Sequence, residues 1–146
     1  MIMTYVEQLM KTKGNEIWSI HPQATVYEAL QIMSEKDVGA LLVLDKGNLV
    51  GIFSERDYAR KVILKGKSSK DTSVGELMTD VVFSIDPQDT IKDCMALMTT
   101  KHIRHLPVIK NERLIGIVTI GDVVNHIISS QDLTIQQLER YIREGY

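Results

Sequence analysis

Ser19-Ile20-His21-Pro22-Gln23-Ala24-Thr25-Val26 is answered by Ser84-Ile85-Asp86-Pro87-Gln88-Asp89-Thr90-Ile91, and this pair of segments decides the fold. The offset, 19 to 84, then holds without a gap. Met33 falls on Met98, Lys36 on Lys101, Leu41-Leu42-Val43 on Leu106-Pro107-Val108, Leu49-Val50-Gly51-Ile52 on Leu114-Ile115-Gly116-Ile117, and Asp57 on Asp122. A single register kept over about forty positions means that one structural unit occurs twice. A leader repeats as well: Val6-Glu7-Gln8-Leu9-Met10 matches Val74-Gly75-Glu76-Leu77-Met78 at a longer offset, 6 to 74. The first copy therefore has extra residues between leader and first strand, in the polar loop Lys11-Thr12-Lys13-Gly14-Asn15.

Within each copy the pattern predicts β-α-β-β-α. Val26, Ala29, Leu30 and Met33 are spaced as one face of a helix ending near Asp37, with Thr25 as N-cap and Glu28 as its capping-box partner. Ala40 to Leu44 is an apolar run of strand length, Asp45-Lys46-Gly47-Asn48 a tight turn, and Leu49 to Phe53 the returning strand. A second helix runs through Tyr58, Ala59, Val62 and Ile63. The second copy gives a helix from Thr90 to Lys101, strands Leu106 to Ile109 and Leu114 to Val118, and a helix from Asp122 to Ser129. Short strands at Ile17 to Ile20 and Val82 to Ile85 open the copies. The fold class is α+β, with three segments: 1–69 as the first domain with its leader helix, 70–130 as the second, and 131–146 as a C-terminal amphipathic helix through Leu133, Leu138 and Tyr141. Gly66-Lys67-Ser68-Ser69-Lys70 is the linker.

The 146 residues are 44% hydrophobic and 25% charged, ordinary values for a globular protein, so a fibrous or wholly disordered chain is excluded. With 17 Lys+Arg against 19 Asp+Glu the net charge is −2, and no basic run offsets it, which argues against nucleic acid as a partner. The one cysteine, Cys94, lies among Ile91, Met95 and Met98 on a helix and reads as a buried structural thiol. Neither a signal-peptide run nor a membrane-length apolar stretch is present, so a soluble, cytoplasmic protein with no membrane partner is expected.

At two strand-to-helix junctions stand Gly51-Ile52-Phe53-Ser54-Glu55-Arg56-Asp57 and Gly116-Ile117-Val118-Thr119-Ile120-Gly121-Asp122, a shared G-h-h-[ST]-x-x-D pattern. Together with His102-Ile103-Arg104-His105-Leu106-Pro107-Val108, these junctions make the repeat resemble the CBS domain family, and two copies in tandem resemble a Bateman module, here standing alone. The resemblance implies a pseudo-twofold pair with two clefts for an adenosine-containing ligand (AMP, ADP, ATP, NAD or S-adenosylmethionine), assembled as a homodimer. It also implies a regulatory, non-enzymatic role: an energy or metabolite sensor acting on a separate effector protein.

The chemistry of the junctions agrees with that. A carboxylate at a helix start can accept hydrogen bonds from both ribose hydroxyls, while the helix's free N–H groups attract phosphate. The same residues also serve as ordinary helix caps that bind nothing. By the resemblance each cleft mixes the copies. One takes Ser54, Arg56 and Asp57 with Val82, Phe83, Ile103, Arg104 and His105; the other takes Thr119, Gly121 and Asp122 with Lys13, Ile17, Trp18, Val38, Gly39 and Ala40. Arg56, Arg104 and His105 are three cations for the first, against Lys13 alone for the second, so charge predicts that a phosphate-rich ligand prefers the Asp57 cleft. His102 and His105 without a third ligand do not make a metal site. No nucleophile stands with an evident base, so catalysis is not expected. The competing reading is a dimeric scaffold with vestigial clefts, whose surfaces and tail carry the function.

Overall fold

Two threonines start the two long helices. Helix α2 (Val26–Lys36) is capped by Thr25, whose hydroxyl accepts from the Glu28 amide at 3.1 Å while the Glu28 carboxylate accepts from the Thr25 amide. In α5 (Ile91–Lys101), Thr90 and Asp93 exchange the same pair of bonds. Each helix stops on a residue in the left-handed region, Asp37 at φ 54° and Asp37's counterpart in the repeat, His102, at φ 56°. The chain then turns into a hairpin.

The computed structural model describes residues 4–14 and 16–129. Along it run α1 (Val6–Lys13), β1 (Ser19–Ile20), α2, β2 (Ala40–Asp45) and β3 (Asn48–Ser54), followed by α3 (Glu55–Asp57), which continues as a π-helix over Tyr58–Ile63. Then come α4 (Val74–Leu77), α5, β4 (His105–Lys110), β5 (Arg113–Thr119) and a helix over residues 120–129, here α6. The fold is thus the expected mixture of helix and strand, with β-α-β-β-α in the first copy and α-β-β-α in the second. Both hairpins use two-residue turns with positive φ at both positions: Lys46-Gly47 at 51° and 81°, and Asn111-Glu112 at 50° and 65°. Such turns match the right-handed twist of the strands they join. The β2–β3 ladder pairs Ala40 with Ser54, and β4–β5 pairs His105 with Thr119.

Three expectations are corrected. The opening strands are shorter than the apolar residues suggest: only Ser19 and Ile20 pair with β2, and of Val82 to Ile85 only Ile85 bridges, to Val108. The helices after the junctions begin earlier, at residues 55 and 120, because Ser54 and Thr119 are their N-caps. The first of them widens into a π-helix, with the Leu64 amide donating to the Ala59 carbonyl at 3.2 Å. The tail expected as a helix at 131–146 lies outside the described residues.

The chain divides into two compact units that do not follow the sequence repeat: residues 16–84, and residues 1–15 with 85–146. Leader α1 belongs with the second copy, and leader α4 with the first. The bonds are the same in both: Val6 N–H to the Asp89 carbonyl and Val74 N–H to the Ala24 carbonyl, both 2.8 Å; Ile91 N–H to Thr4 and Val26 N–H to Thr72, both 2.9 Å. The domain limits 1–69 and 70–130 describe the repeat; each leader is exchanged across them.

In the unit spanning 16–84 the core is Ile20, Val26, Ala29, Met33, Leu41, Val43, Phe53, Val62 and Val74. Ala40 to Val43 is buried at every position, as a continuous apolar run demands. In the other unit Val6, Leu9, Met10, Ile91, Cys94, Met98, Leu106, Val108, Val118 and Val123 are buried. Cys94 is a free, buried thiol.

Candidate functional site

Each junction builds a carboxylate into a helix start. Ser54 ends β3 and caps α3; its hydroxyl accepts from the Asp57 amide at 3.2 Å, and Asp57 Oδ2 accepts from the Ser54 amide at 3.0 Å and hydroxyl at 3.1 Å. Thr119 ends β5 and does the same for α6: its hydroxyl accepts from the Asp122 amide at 3.2 Å, and Asp122 Oδ2 accepts from the Thr119 amide at 2.8 Å. The aspartates therefore stand at the third helical position as capping-box partners, two residues deeper than a helix beginning at Asp57 or Asp122 would put them. Capping is their structural role.

The strand before each junction is fastened to it. The Glu55 amide donates to the Gly39 carbonyl at 3.0 Å, and the Ile120 amide to the Arg104 carbonyl at 2.9 Å. Gly39 and Ala40 are thus brought to Ser54, and Arg104 and His105 to Thr119. In the unit spanning 16–84, Ile17, Trp18, Val38, Val82 and Phe83 are half-buried, Arg56 is exposed, and Lys36 Nζ covers one face of the Trp18 ring at 4.6 Å. In the other, Ile103 and His105 are half-buried, while Arg104 and Gly121 are exposed. Lys13 reaches Asp122 Oδ2 at 2.6 Å and the Ile117 carbonyl at 2.5 Å. The structure therefore joins Lys13 with Thr119 and Asp122, as the sequence reading did. The remaining groupings, Ser54 and Asp57 with Ile103 to His105, and Asp122 with Ile17, Trp18 and Val38 to Ala40, join residues of different units and stand as proposals.

Two partners of Asp57 escaped the sequence reading. Thr79 donates its hydroxyl to Oδ1 at 3.0 Å, and Lys61 pairs with the same oxygen at 3.1 Å. Lys61 was legible as a helical (i, i+4) neighbour. Thr79 was not, since its approach depends on the exchanged leader, which bridges Thr79 to Ile52.

Burial lowers the pKa of His105, with the nearby Arg104 and Lys13 adding to the effect and Asp122 opposing it, so its imidazole sits in a net positive field. Burial pushes the Cys94 thiol up to about 11, aided by Asp89 and Asp93, which leaves it unreactive at neutral pH. Among the described residues no three His, Cys, Asp or Glu side chains are grouped to hold a metal, and no helix is long and apolar enough to cross a membrane.

A duplicated α+β module, with one capped carboxylate at each strand-to-helix junction and its leaders exchanged, is the architecture of a tandem domain pair. The chain belongs to the CBS domain family, whose model matches residues 6–64 and 74–129. It is 40% identical over 153 residues to the CBS domain-containing protein CBSX3, mitochondrial, of Arabidopsis thaliana, covering 98% of this chain and 74% of the relative. A putative signal-transduction protein with CBS domains from Burkholderia ambifaria superposes with a TM-score of 0.85 at 45% identity, over 88% of this chain and 96% of that one. The CBS domain pair of protein MJ0100, solved in complex with 5-methylthioadenosine and S-adenosyl-L-methionine, shares the fold with a TM-score of 0.78 at 24% identity, over 88% and 99%.

Proposed function

We propose that the chain is a regulatory CBS pair that binds an adenosine-containing ligand (AMP, ADP, ATP, NAD or S-adenosylmethionine) and passes the signal to a separate effector protein, without catalysing a reaction. The observation that carries this reading is the duplicated helix start, which sets a carboxylate and a hydroxyl side by side at Ser54/Asp57 and again at Thr119/Asp122. A vicinal diol and a phosphate on one small molecule match that set. The adenosine ligands of the MJ0100 pair belong to that protein, whose likeness to this chain is one of fold; they show that the fold accommodates such molecules.

The mechanism that follows is linkage. A ligand that prefers one packing of the chain or its dimer shifts the population, and a partner that reads this packing responds. A homodimer is supported by the outer face of α6, where Ile120, Val124 and Ile128, one helical turn apart, are 43%, 45% and 49% exposed.

Thermal unfolding with each of the five ligands tests the reading, because a ligand bound only to the native state raises the melting temperature with its concentration. A rise with at least one, absent with uridine monophosphate, is expected. No rise with any of them would leave the dimeric scaffold as the better account.

A further inference from the structure

Asp57 and Asp122 hold matched places in the repeat, yet their oxygens are engaged differently. Both oxygens of Asp57 are filled: Oδ2 by the Ser54 amide and hydroxyl, Oδ1 by the Thr79 hydroxyl and the Lys61 ammonium, with the side chain only 10% exposed. Lys61 is itself tied to the Leu77 carbonyl at 3.1 Å. At Asp122, Oδ2 takes the Thr119 amide and Lys13, no described group donates to Oδ1, and the side chain is 22% exposed. Lys13 has a second anchor, the Ile117 carbonyl at 2.5 Å, which holds its ammonium beside the helix start even if Asp122 changes partner. Arg104 adds to the positive field there, which with burial disfavours the charged form of His105.

Resting on the nucleotide-binding reading, we infer that Lys13 determines specificity at the Asp122 half-site: its ammonium is the counter-ion that a ribose diol displaces from Asp122 and that the ligand's phosphate then neutralises. The half-site accordingly takes phosphorylated adenosine and discriminates against the uncharged nucleoside. The physical reason is charge balance. A nucleoside that takes Asp122 leaves Lys13, partly buried and fixed to Ile117, without an anion, whereas a phosphate restores the pair. The Asp57 half-site offers no such exchange, since four donors already cover its carboxylate. Counting cations along the sequence favours the Asp57 cleft for a phosphate-rich ligand; the occupancy of the carboxylate oxygens reverses that ranking.

Calorimetric titration of the whole chain with adenosine, AMP and ATP, in the wild type, Lys13→Gln and Lys13→Arg, tests the inference, with melting temperatures to verify folding. The wild type should prefer AMP to adenosine, and Lys13→Gln should shrink that preference roughly tenfold by weakening AMP while leaving adenosine unchanged or tighter. Lys13→Arg should retain it. Independently of any variant, inorganic phosphate should tighten adenosine binding to the wild type by supplying the missing anion. Equal weakening of adenosine and AMP in Lys13→Gln, or no effect of phosphate on adenosine, overturns the inference and leaves nucleotide binding standing. A wild type that binds none of the three removes the reading itself, and the inference with it.

Discussion

Gly51 and Gly116 open the two junction motifs, and what they face is a methionine of a leader. A Cβ on Gly51 would stand 2.6 Å from Met78 Sδ and 2.9 Å from the Thr79 carbonyl oxygen; one on Gly116 would meet the Met10 methyl. The glycine of the motif is therefore explained by packing against the exchanged leader. The two positions differ in what can yield. A methionine tip can swing aside, but the Thr79 carbonyl is fixed by the Ile52 amide at 2.9 Å. Gly51→Ala should cost about 1–3 kcal/mol and Gly116→Ala less than about 1 kcal/mol, read by urea denaturation. Equal costs would mean that the backbone contact at Thr79 does not govern the site. Gly121 differs again: a Cβ there meets only Thr119 Oγ1, at 3.6 Å, so Gly121→Ala should raise stability by about 0.5–1 kcal/mol through helix propensity.

His105 gives a pH dependence whose sign is fixed by its surroundings. Burial first, then Arg104 and Lys13, lower its pKa from the ordinary 6.5, with Asp122 opposing. The unfolded chain then binds the proton more readily than the folded one. The resulting stability is present in full above the unfolded pKa and is lost as pH falls through the folded value. Denaturation midpoints should therefore fall between about pH 7.5 and about pH 5.5, and His105→Gln should reduce that slope. An unchanged slope in the variant would assign the acid sensitivity to other groups.

At the scale of the element, the long helices owe their ends to local chemistry. Thr25→Ala and Thr90→Ala each remove one capping box and should cost about 1 kcal/mol, with matching losses because the two caps have the same geometry. A cost at one helix only would show that packing has made the other cap redundant. The same locality is why α2, α5 and both hairpins were legible in the sequence: Thr25 with Glu28, Thr90 with Asp93, and the apolar runs broken at Lys46-Gly47 and Asn111-Glu112 state their own structure. The starts of α3 and α6 were written in the same code, a hydroxyl three residues before a carboxylate, which reads equally as a cap and as a ligand motif. The π-helix over Tyr58–Ile63 had no local signal, because Tyr58, Ala59, Val62 and Ile63 suit either helix and packing decides. Of the candidate site, the junction residues and the reach of Lys13 to Asp122 were legible. Thr79's hold on Asp57 was not, since it depends on where a distant leader docks.

At the scale of the whole molecule, the exchange of leaders decides which parts of the chain stabilise one another. Thr4 accepts from the Ile91 amide, Val6 donates to Asp89 and Glu7 to Pro87, so the first leader closes the start of α5, over eighty residues away. Thr72, Val74 and Gly75 make the matching bonds to Val26, Ala24 and Pro22, closing the start of α2. Deleting residues 1–13 should therefore expose the amides of residues 90–94 to hydrogen exchange and uncover the apolar surface that Val6, Leu9 and Met10 bury. The amides of residues 26–33, guarded by α4, should keep their protection. If each copy carried its own leader, the deletion would instead loosen α2 and spare α5. Hydrogen exchange resolved along the chain separates the two outcomes directly. The same deletion removes Lys13 from Asp122, so stability of the second unit and the charge state of its half-site are coupled through one helix.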